Sequence, residues 1–434
     1  MRAILIVIAG LWLLAAAQAR AQEQGRAPDE RPHQPARAAK ADDKPEKKSG
    51  PDRKQPAAPM VFFIAKGETG ACGAGCNAWI AADGKIDRGT PGQLRALLGR
   101  LGKRRLPIYF QSPGGNVEAA FAIGRMLRAR GMTAGVGRTI PQGCDPAQSR
   151  EPACDTLRRS GRELPAELRT IAASCNSACV YAVVGARVRE IAPGASLGIH
   201  NISVTRTMIR KTREGRIVAI SSIKLTGDAD GVREGNRKIA RYAAEMDVSR
   251  ALVDAAAAVP NDQLRFLTRD EIARFGIDQR GFAESRWTVQ EQKAGGSFIG
   301  KLLTEAKIGD AKAGEPKHYR VMQVLLLCGR SGFINAAFAR ELDASDKIAF
   351  AAIAAQGSEV RLGRTQSTAK LNGVDMEIWR APVPRAFFDS AASGDSIELV
   401  EMSASAAANT PPRRMTLSTA GLAASVGSFG QSCH

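Results

Sequence analysis

A strand that ends in two glycines and runs straight into a helix leaves few folds open. Pro107-Ile108-Tyr109-Phe110 is a short apolar run with strand character, and it stops at Ser112-Pro113-Gly114-Gly115. Helical spacing begins at once, with Val117, Phe121, Gly124 and Leu127 on one face, and Gly131 closes it. Thr133 to Val136 then reads as the next strand. Strand, glycine turn, helix, strand is a βαβ unit, which implies a parallel sheet and a right-handed crossover. Upstream, Val61 to Ile64 and Ala78 to Ala81 read as strands, and Thr90 as the N-cap of a helix from Pro91 to Leu101.

Further along, residues 141–170 read as a Pro- and Arg-rich insertion holding Cys144 and Cys154. The apolar run Ala178 to Val184 fits a buried helix or a buried strand equally well by length. Ile191 to Ala195 and Leu197 to Ile199 read as short strands. Residues 236–259 carry helical spacing that restarts at Ser249, and Arg269 to Phe275 is a short helix closed by Gly276. Residues 288–316 read as a linker with a small amphipathic piece, Phe298 to Ala306. Strand-like runs follow at Val321–Leu327, Lys347–Ala354, Gly373–Trp379 and Ile397–Met402, and a helical pattern runs from Ser418 to Phe429.

The chain start reads as a secretory signal, residues 1–21. Arg2 precedes an apolar stretch, Ala3 to Ala17, shorter than the roughly 20 residues a bilayer span needs. Small residues then allow cleavage after Ala19 or Ala21. Residues 22–58 are rich in Pro, Ala and charge, cannot bury enough apolar surface to offset their ordering entropy, and read as a disordered tether. The expected organisation is therefore an α/β domain over 59–287, a linker over 288–316 and a small β-rich domain over 317–434. The expected location is the periplasm or the medium.

Cysteine usage agrees with export, because eight cysteines is an even number, as disulfide-forming compartments favour. Cys144 with Cys154 would staple the insertion, and Cys328 with Cys433 would tie the tail together. Cys72 and Cys76 would bond Cys175 or Cys179, or pair locally. The net charge of +19 suggests contact with anionic envelope surfaces. The basic residues are dispersed and no nucleic-acid motif is present, so nucleic acid is not expected as a partner.

Histidine is scarce. Of four, His33 lies in the tether, His318 opens the tail and His434 ends the chain. An imidazole base in the α/β domain must therefore be His200. Ser177, in Cys175-Asn176-Ser177-Ala178-Cys179, sits where free backbone donors would favour an anionic intermediate if the following run is helical; it would equally serve as a plain N-cap. The Gly-Gly turn suits an oxyanion hole, and equally a tight βα connection.

In order, these features resemble the ClpP family of the ClpP/crotonase fold. That family has a Ser-Pro-Gly-Gly strand end, a serine opening a buried helix, and a histidine in a Met-Ile-His type strand. Here Gly198-Ile199-His200 follows Ser177 by 23 residues. Pro193 and Ser196 match a Pro-x-Ser stretch. Arg265 to Thr268, Glu271-Ile272-Ala273 and Phe275-Gly276-Ile277-Asp278 resemble the family's closing segment. The resemblance covers about residues 60–286. It implies a ClpP/crotonase-like ββα spiral with a parallel sheet, a peptide or protein substrate and a homo-oligomer; with no second histidine and no CxxC pair in the domain, no metal or cofactor is expected. The resemblance also implies Ser177 as nucleophile, His200 as base, and oxyanion donors from the N–H groups of Gly115 and Ala178. The family's orienting Asp position is occupied here by Leu264-Arg265, so the nearest acid, Asp262, is the expected third member, with Asn261 as another means of orienting the ring. The tail, through Leu417 to Leu422 and a final cysteine, is similar to invasion-associated-locus-B-type β domains.

Three readings follow: an exported, ATP-independent serine peptidase, an acyl-CoA enzyme of the crotonase type, and a non-catalytic envelope scaffold. Export argues against the second, since its substrates are cytoplasmic. Fold alone does not decide between the first and third.

Overall fold

The computed structural model describes residues 57–145, 151–225, 228–291, 297–307, 317–328, 333–343, 346–365, 368–371, 374–407 and 409–429. The expected signal segment, nearly all of the tether, Cys433 and His434 lie outside the described residues.

The first strands are β1 (Val61–Lys66) and β2 (Ala78–Asp83), followed by helix α1 (Thr90–Leu101), strand β3 (Ile108–Gln111), helix α2 (Val117–Ala129) and strand β4 (Thr133–Val136). Strands β2, β3 and β4 pair in parallel, as the βαβ reading requires. Gly89, not Thr90, holds the N-cap position of α1. The Asp87 carboxylate accepts from the N–H groups of both Gly89 and Thr90, which does the capping from two residues upstream.

The expected insertion is largely structured. Strand β5 (Arg138–Pro141), helix α3 (Pro152–Arg158) and strand β6 (Leu164–Arg169) follow, with β6 adding to β1 in parallel. Next come β7 (Ser174–Asn176), α4 (Ala178–Val184), β8 (Val188–Glu190) and β9 (Ser196–Ile199). The main sheet has the order β5-β6-β1-β2-β3-β4-β8. Residues 191–195, expected as a strand, instead turn into β9, with Ala195 N–H bonding the Ala192 carbonyl. Pro193 and Gly194 favour that turn.

The ambiguous run is helix α4, and all seven of its residues are buried. A helix enclosed on every side needs no polar face, so its sequence carries no period. It packs with α1 and α2 against Ile80, Ile108, Phe110, Ala134 and Val136 on one sheet face. Val61, Phe63, Ala65, Trp79, Ala81 and Tyr109 point to the other face, the two-residue alternation of a strand.

A hairpin of β10 (Val204–Lys211) and β11 (Ile217–Leu225) follows, unread in the sequence. Helices α5 (Ala229–Glu245) and α6 (Arg250–Ala257), strand β12 (Arg265–Phe266) and helix α7 (Arg269–Arg274) complete the α/β region. Ser249 caps α6, and Thr268 with Glu271 forms a capping box on α7.

The β-rich region begins earlier than the sequence suggests. Strands β13 (Phe282–Glu284), β14 (Thr288–Glu291) and β15 (Ser297–Ala306) lie in or before the expected linker, and β15 is paired along its length to β16 (Tyr319–Cys328). Strand β15 buries side chains on both faces, Ile299 and Leu303 in one cluster and Phe298 in another, so its sequence lacks the alternation that marks a strand. The remaining elements are β17 (Phe333–Glu341), β18 (Ile348–Ala355), β19 (Ser358–Arg364), β20 (Ala369–Leu371), β21 (Val374–Pro384), helix α8 (Arg385–Ala392), β22 (Ser396–Ser403), β23 (Arg413–Ser418) and helix α9 (Leu422–Phe429). Eleven strands form one sheet, antiparallel in every pairing among the described residues and nearly barrel-like. The chain is thus a largely parallel α/β region followed by a β-rich one.

Candidate active site

The Ser-Pro-Gly-Gly turn closes onto β7. Ser112 N–H bonds the Ser174 carbonyl at 2.9 Å, and Asn176 N–H bonds the Ser112 carbonyl at 2.9 Å. Within the turn, Gly114 N–H donates to Ser112 Oγ at 3.1 Å. Gly115 is at φ 141°, where a Cβ would lie 2.0 Å from the Ile86 carbonyl oxygen. Only glycine fits there.

Ser177 joins β7 to α4 at φ 55°, ψ −125°. Its N–H donates to the Gly198 carbonyl at 2.7 Å. Cys175 and Cys179, on either side of it, are bonded to each other with their Cα atoms 5.3 Å apart, within the usual disulfide range. The other disulfides among the described residues are Cys72–Cys76 and Cys144–Cys154. So Cys144 pairs as expected, and the remaining pairs are local. The expected partner of Cys328 lies outside the described residues.

Helix α4 is held from behind. Tyr242 Oη donates to the Tyr181 carbonyl at 2.8 Å and stacks on Phe121. Burial pushes the Tyr242 phenol well above its ordinary range, which keeps the proton for this bond. Gly124 and Gly185 let α2 and α4 touch backbone to backbone.

His200 is placed by register. Strand β7 runs parallel to β9 with Asn176 level with Gly198, so Ser177 and His200 emerge from the same end of two adjacent strands. Neighbouring strands lie about 4.8 Å apart. His200 Nδ1 lies 2.7 Å from the Asn201 carbonyl oxygen. Asn201 is itself fixed: its N–H bonds the Val259 carbonyl at 2.8 Å, and its side-chain oxygen accepts from Ile202 N–H and from Asn236 Nδ2.

Strand β12 runs antiparallel on the other side of β9, with Arg265 level with Ile199. Continuing that register sets Leu264 level with His200. Asp262 is exposed in the preceding turn, where Gln263 N–H bonds the Pro260 carbonyl. Among the described residues, His200 bonds the Asn201 carbonyl and not Asp262. Register thus sets Ser177 and His200 at the same end of β7 and β9, with the Gly-Gly turn against Ser177, and among the described residues no hydrogen bond joins Asp262 to His200. Sequence reasoning did not single out the Asn201 carbonyl, because a main-chain acceptor leaves no mark on residue type, nor Asn236, whose side chain meets Asn201 from 35 residues away.

A cleft of about 650 Å³ opens beside the Gly-Gly turn, lined by Gly84, Gln111, Ser112, Pro113, Arg138 and Arg158. Ser177 and His200 are not among its lining residues. Asp278 closes the rear of the region. Its buried carboxylate accepts from Ile191 N–H at 2.8 Å and pairs with Arg280 and Arg269. Burial works to raise its pKa, but the Arg280 and Arg269 partners and the Ile191 N–H hold it below the ordinary carboxylate range.

No protein-family model matches the chain, and no curated protein sequence matches it. Solved structures do. A serine-to-alanine variant of the membrane-bound stomatin-specific protease 1510-N is 15% identical, with 46% of this chain and 75% of that one covered and a TM-score of 0.28. A lysine-to-alanine variant of 1510-N, in complex with a substrate peptide, is 16% identical over 50% of this chain and 74% of that one, also at 0.28. ClpP1 from Listeria monocytogenes is 18% identical over 45% of this chain and 85% of that one, at 0.25. At these identities and TM-scores the likeness is one of general architecture and says nothing about activity.

Proposed function

We propose that this chain is an exported, ATP-independent serine peptidase, acting by acyl transfer through Ser177. The observation that carries the reading is the convergence of Ser177, His200 and the Gly-Gly turn at one end of β7, β9 and β3. Ser177 Oγ attacks the substrate carbonyl as His200 Nε2 takes its proton. A hydrogen bond from His200 Nδ1–H to the Asn201 carbonyl fixes that tautomer, the role expected of Asp262 from the sequence. Backbone N–H groups of Gly115 and Ala178 stabilise the oxyanion. The position of a Cβ on Gly114, 3.1 Å from the Ala178 nitrogen, supports this pairing of turn and helix start. His200 then returns the proton to the leaving amine, and water completes the cycle.

The disulfides support an oxidising compartment, and the basic composition supports contact with anionic envelope surfaces. A peptide substrate and self-assembly follow from the family resemblance. One observation favours a non-catalytic envelope scaffold: Leu264, an apolar side chain, is level with His200 where an orienting acid would serve. A fluorophosphonate probe separates the two. On the peptidase reading the oxidised chain is labelled, Ser177→Ala and His200→Ala abolish labelling, and Asp262→Ala leaves most of it. A folded wild-type chain that takes no label overturns the peptidase reading in favour of the scaffold.

A further inference from the structure

Ser177 has a backbone that residues with a Cβ adopt only where the surroundings over-determine it. Three other described non-glycine residues have positive φ: Ala172, Asp247 and Gln356. None of them lies within the Cys72–Cys76, Cys144–Cys154 or Cys175–Cys179 ring. Around Ser177, Cys175 sits within β7 and Cys179 in the first turn of α4, and neither has any exposed surface. Their bond closes a ring around Asn176, Ser177 and Ala178. The Ser177 N–H bond to Gly198 ties the chain on the strand side; the disulfide ties the strand to the helix across the bend.

We propose that the Cys175–Cys179 disulfide is the positioning device for Ser177. The ring holds the bend that presents Ser177 beside His200, and without the bond the bend relaxes toward an ordinary backbone. The consequence for reactivity rests on Ser177 being a nucleophile; the claim about conformation does not. Closing the ring takes two electrons and two protons from two thiols, and a disulfide-bearing oxidoreductase receives them and becomes a dithiol. Because both sulfurs are buried, a dithiol reductant reaches them only when the segment opens. The site is therefore assembled when the chain oxidises and is not readily switched off afterwards.

The test is a double-mutant cycle on the full chain, read by thermal melting and by fluorophosphonate labelling. Ser177→Gly relieves the backbone in the disulfide-bonded chain and raises its melting midpoint by about 2–4 °C. In a Cys175→Ala/Cys179→Ala background the same change gives no rise, because the bend has already relaxed. That background also labels about tenfold more slowly, whereas Cys72→Ala/Cys76→Ala, which removes another disulfide of the same span, labels at the wild-type rate. Equal Ser177→Gly shifts in both backgrounds overturn the proposal whether or not Ser177 reacts. Unequal shifts with no labelling in the wild type support the positioning role and sink the peptidase reading alone. If the alanine pair does not fold, Cys175→Ala/Cys179→Val, which refills the core, replaces it. Should neither fold while the Cys72/Cys76 control does, the bond is a requirement of the whole fold and the positioning role is overturned.

Discussion

Gly114 approaches Ser177 so closely that a Cβ on it would lie 2.7 Å from the Ser177 Cβ and 2.5 Å from the Asn176 carbonyl oxygen. Its φ of 96° is one that side-chain-bearing residues avoid. There is thus no room for a side chain between the turn and the serine. Gly114→Ala should cost about 1–3 kcal/mol of stability and slow fluorophosphonate labelling more than tenfold. Gly131→Ala, at φ 62° with open space around it, should cost backbone strain and leave labelling unchanged. Equal labelling loss in both variants would show that strain, not contact with Ser177, is responsible.

Leu264, level with His200 across β12 and β9, offers a way to supply the acid that the family pattern contains. Leu264→Asp should speed labelling several-fold. A carboxylate beside the ring favours the charged imidazolium over the neutral form that takes the proton. The acidic limb of the labelling profile should then move to higher pH. A profile that stays in place would mean that the new carboxylate does not reach the ring.

Asp278 links the segment before β9 to the end of the α/β region. Asp278→Asn leaves Arg269 and Arg280 without their buried anion and should cost about 3 kcal/mol, measured by denaturant unfolding at pH 7. The folded-state pKa of Asp278 lies below its unfolded value of about 3.9. Its stabilisation is therefore full above that value and is lost as the pH falls through the folded pKa. The wild type should lose stability more steeply than Asp278→Asn on acidification below about pH 4; parallel curves would exclude Asp278 as the source.

Lys301 is fully buried in the β-rich region. Its ammonium donates to the carbonyls of Ser285 and Ser418 and pairs with Glu284 at 3.1 Å. Lys301→Met keeps the stem and removes the donors. Trp287 Nε1 still donates to the Ser418 carbonyl, so the loss should be about 1–3 kcal/mol for the Ser285 carbonyl left without a partner. A chain of unchanged melting temperature would show that water or rearrangement satisfies it.

Much of the α/β architecture was legible because local rules point the same way. The Gly-Gly strand end, the face of Val117, Phe121 and Leu127, and the cap at Ser249 each name an element without help from the rest of the chain. So did the strand runs at β16, β18, β21 and β22. Strand β15 was not legible, since a strand covered on both faces loses its alternation, and α4 was ambiguous for the corresponding helical reason. The β10–β11 hairpin, with mixed polar and apolar residues on both strands, carried no distinct period.

The sequence by itself determined the candidate nucleophile and base: one histidine in the α/β region, and one serine framed by cysteines before an apolar run. Composition and order suffice for that, because they limit which side chains can do the chemistry. Only the tertiary structure decided what His200 Nδ1 bonds and how Cys72, Cys76, Cys175 and Cys179 pair. Those depend on strand register and on main-chain carbonyls, which every residue carries alike. Asn201 holds the ring through its backbone because β9 ends there between β7 and β12, and Cys175 reaches Cys179 because the chain bends at Ser177.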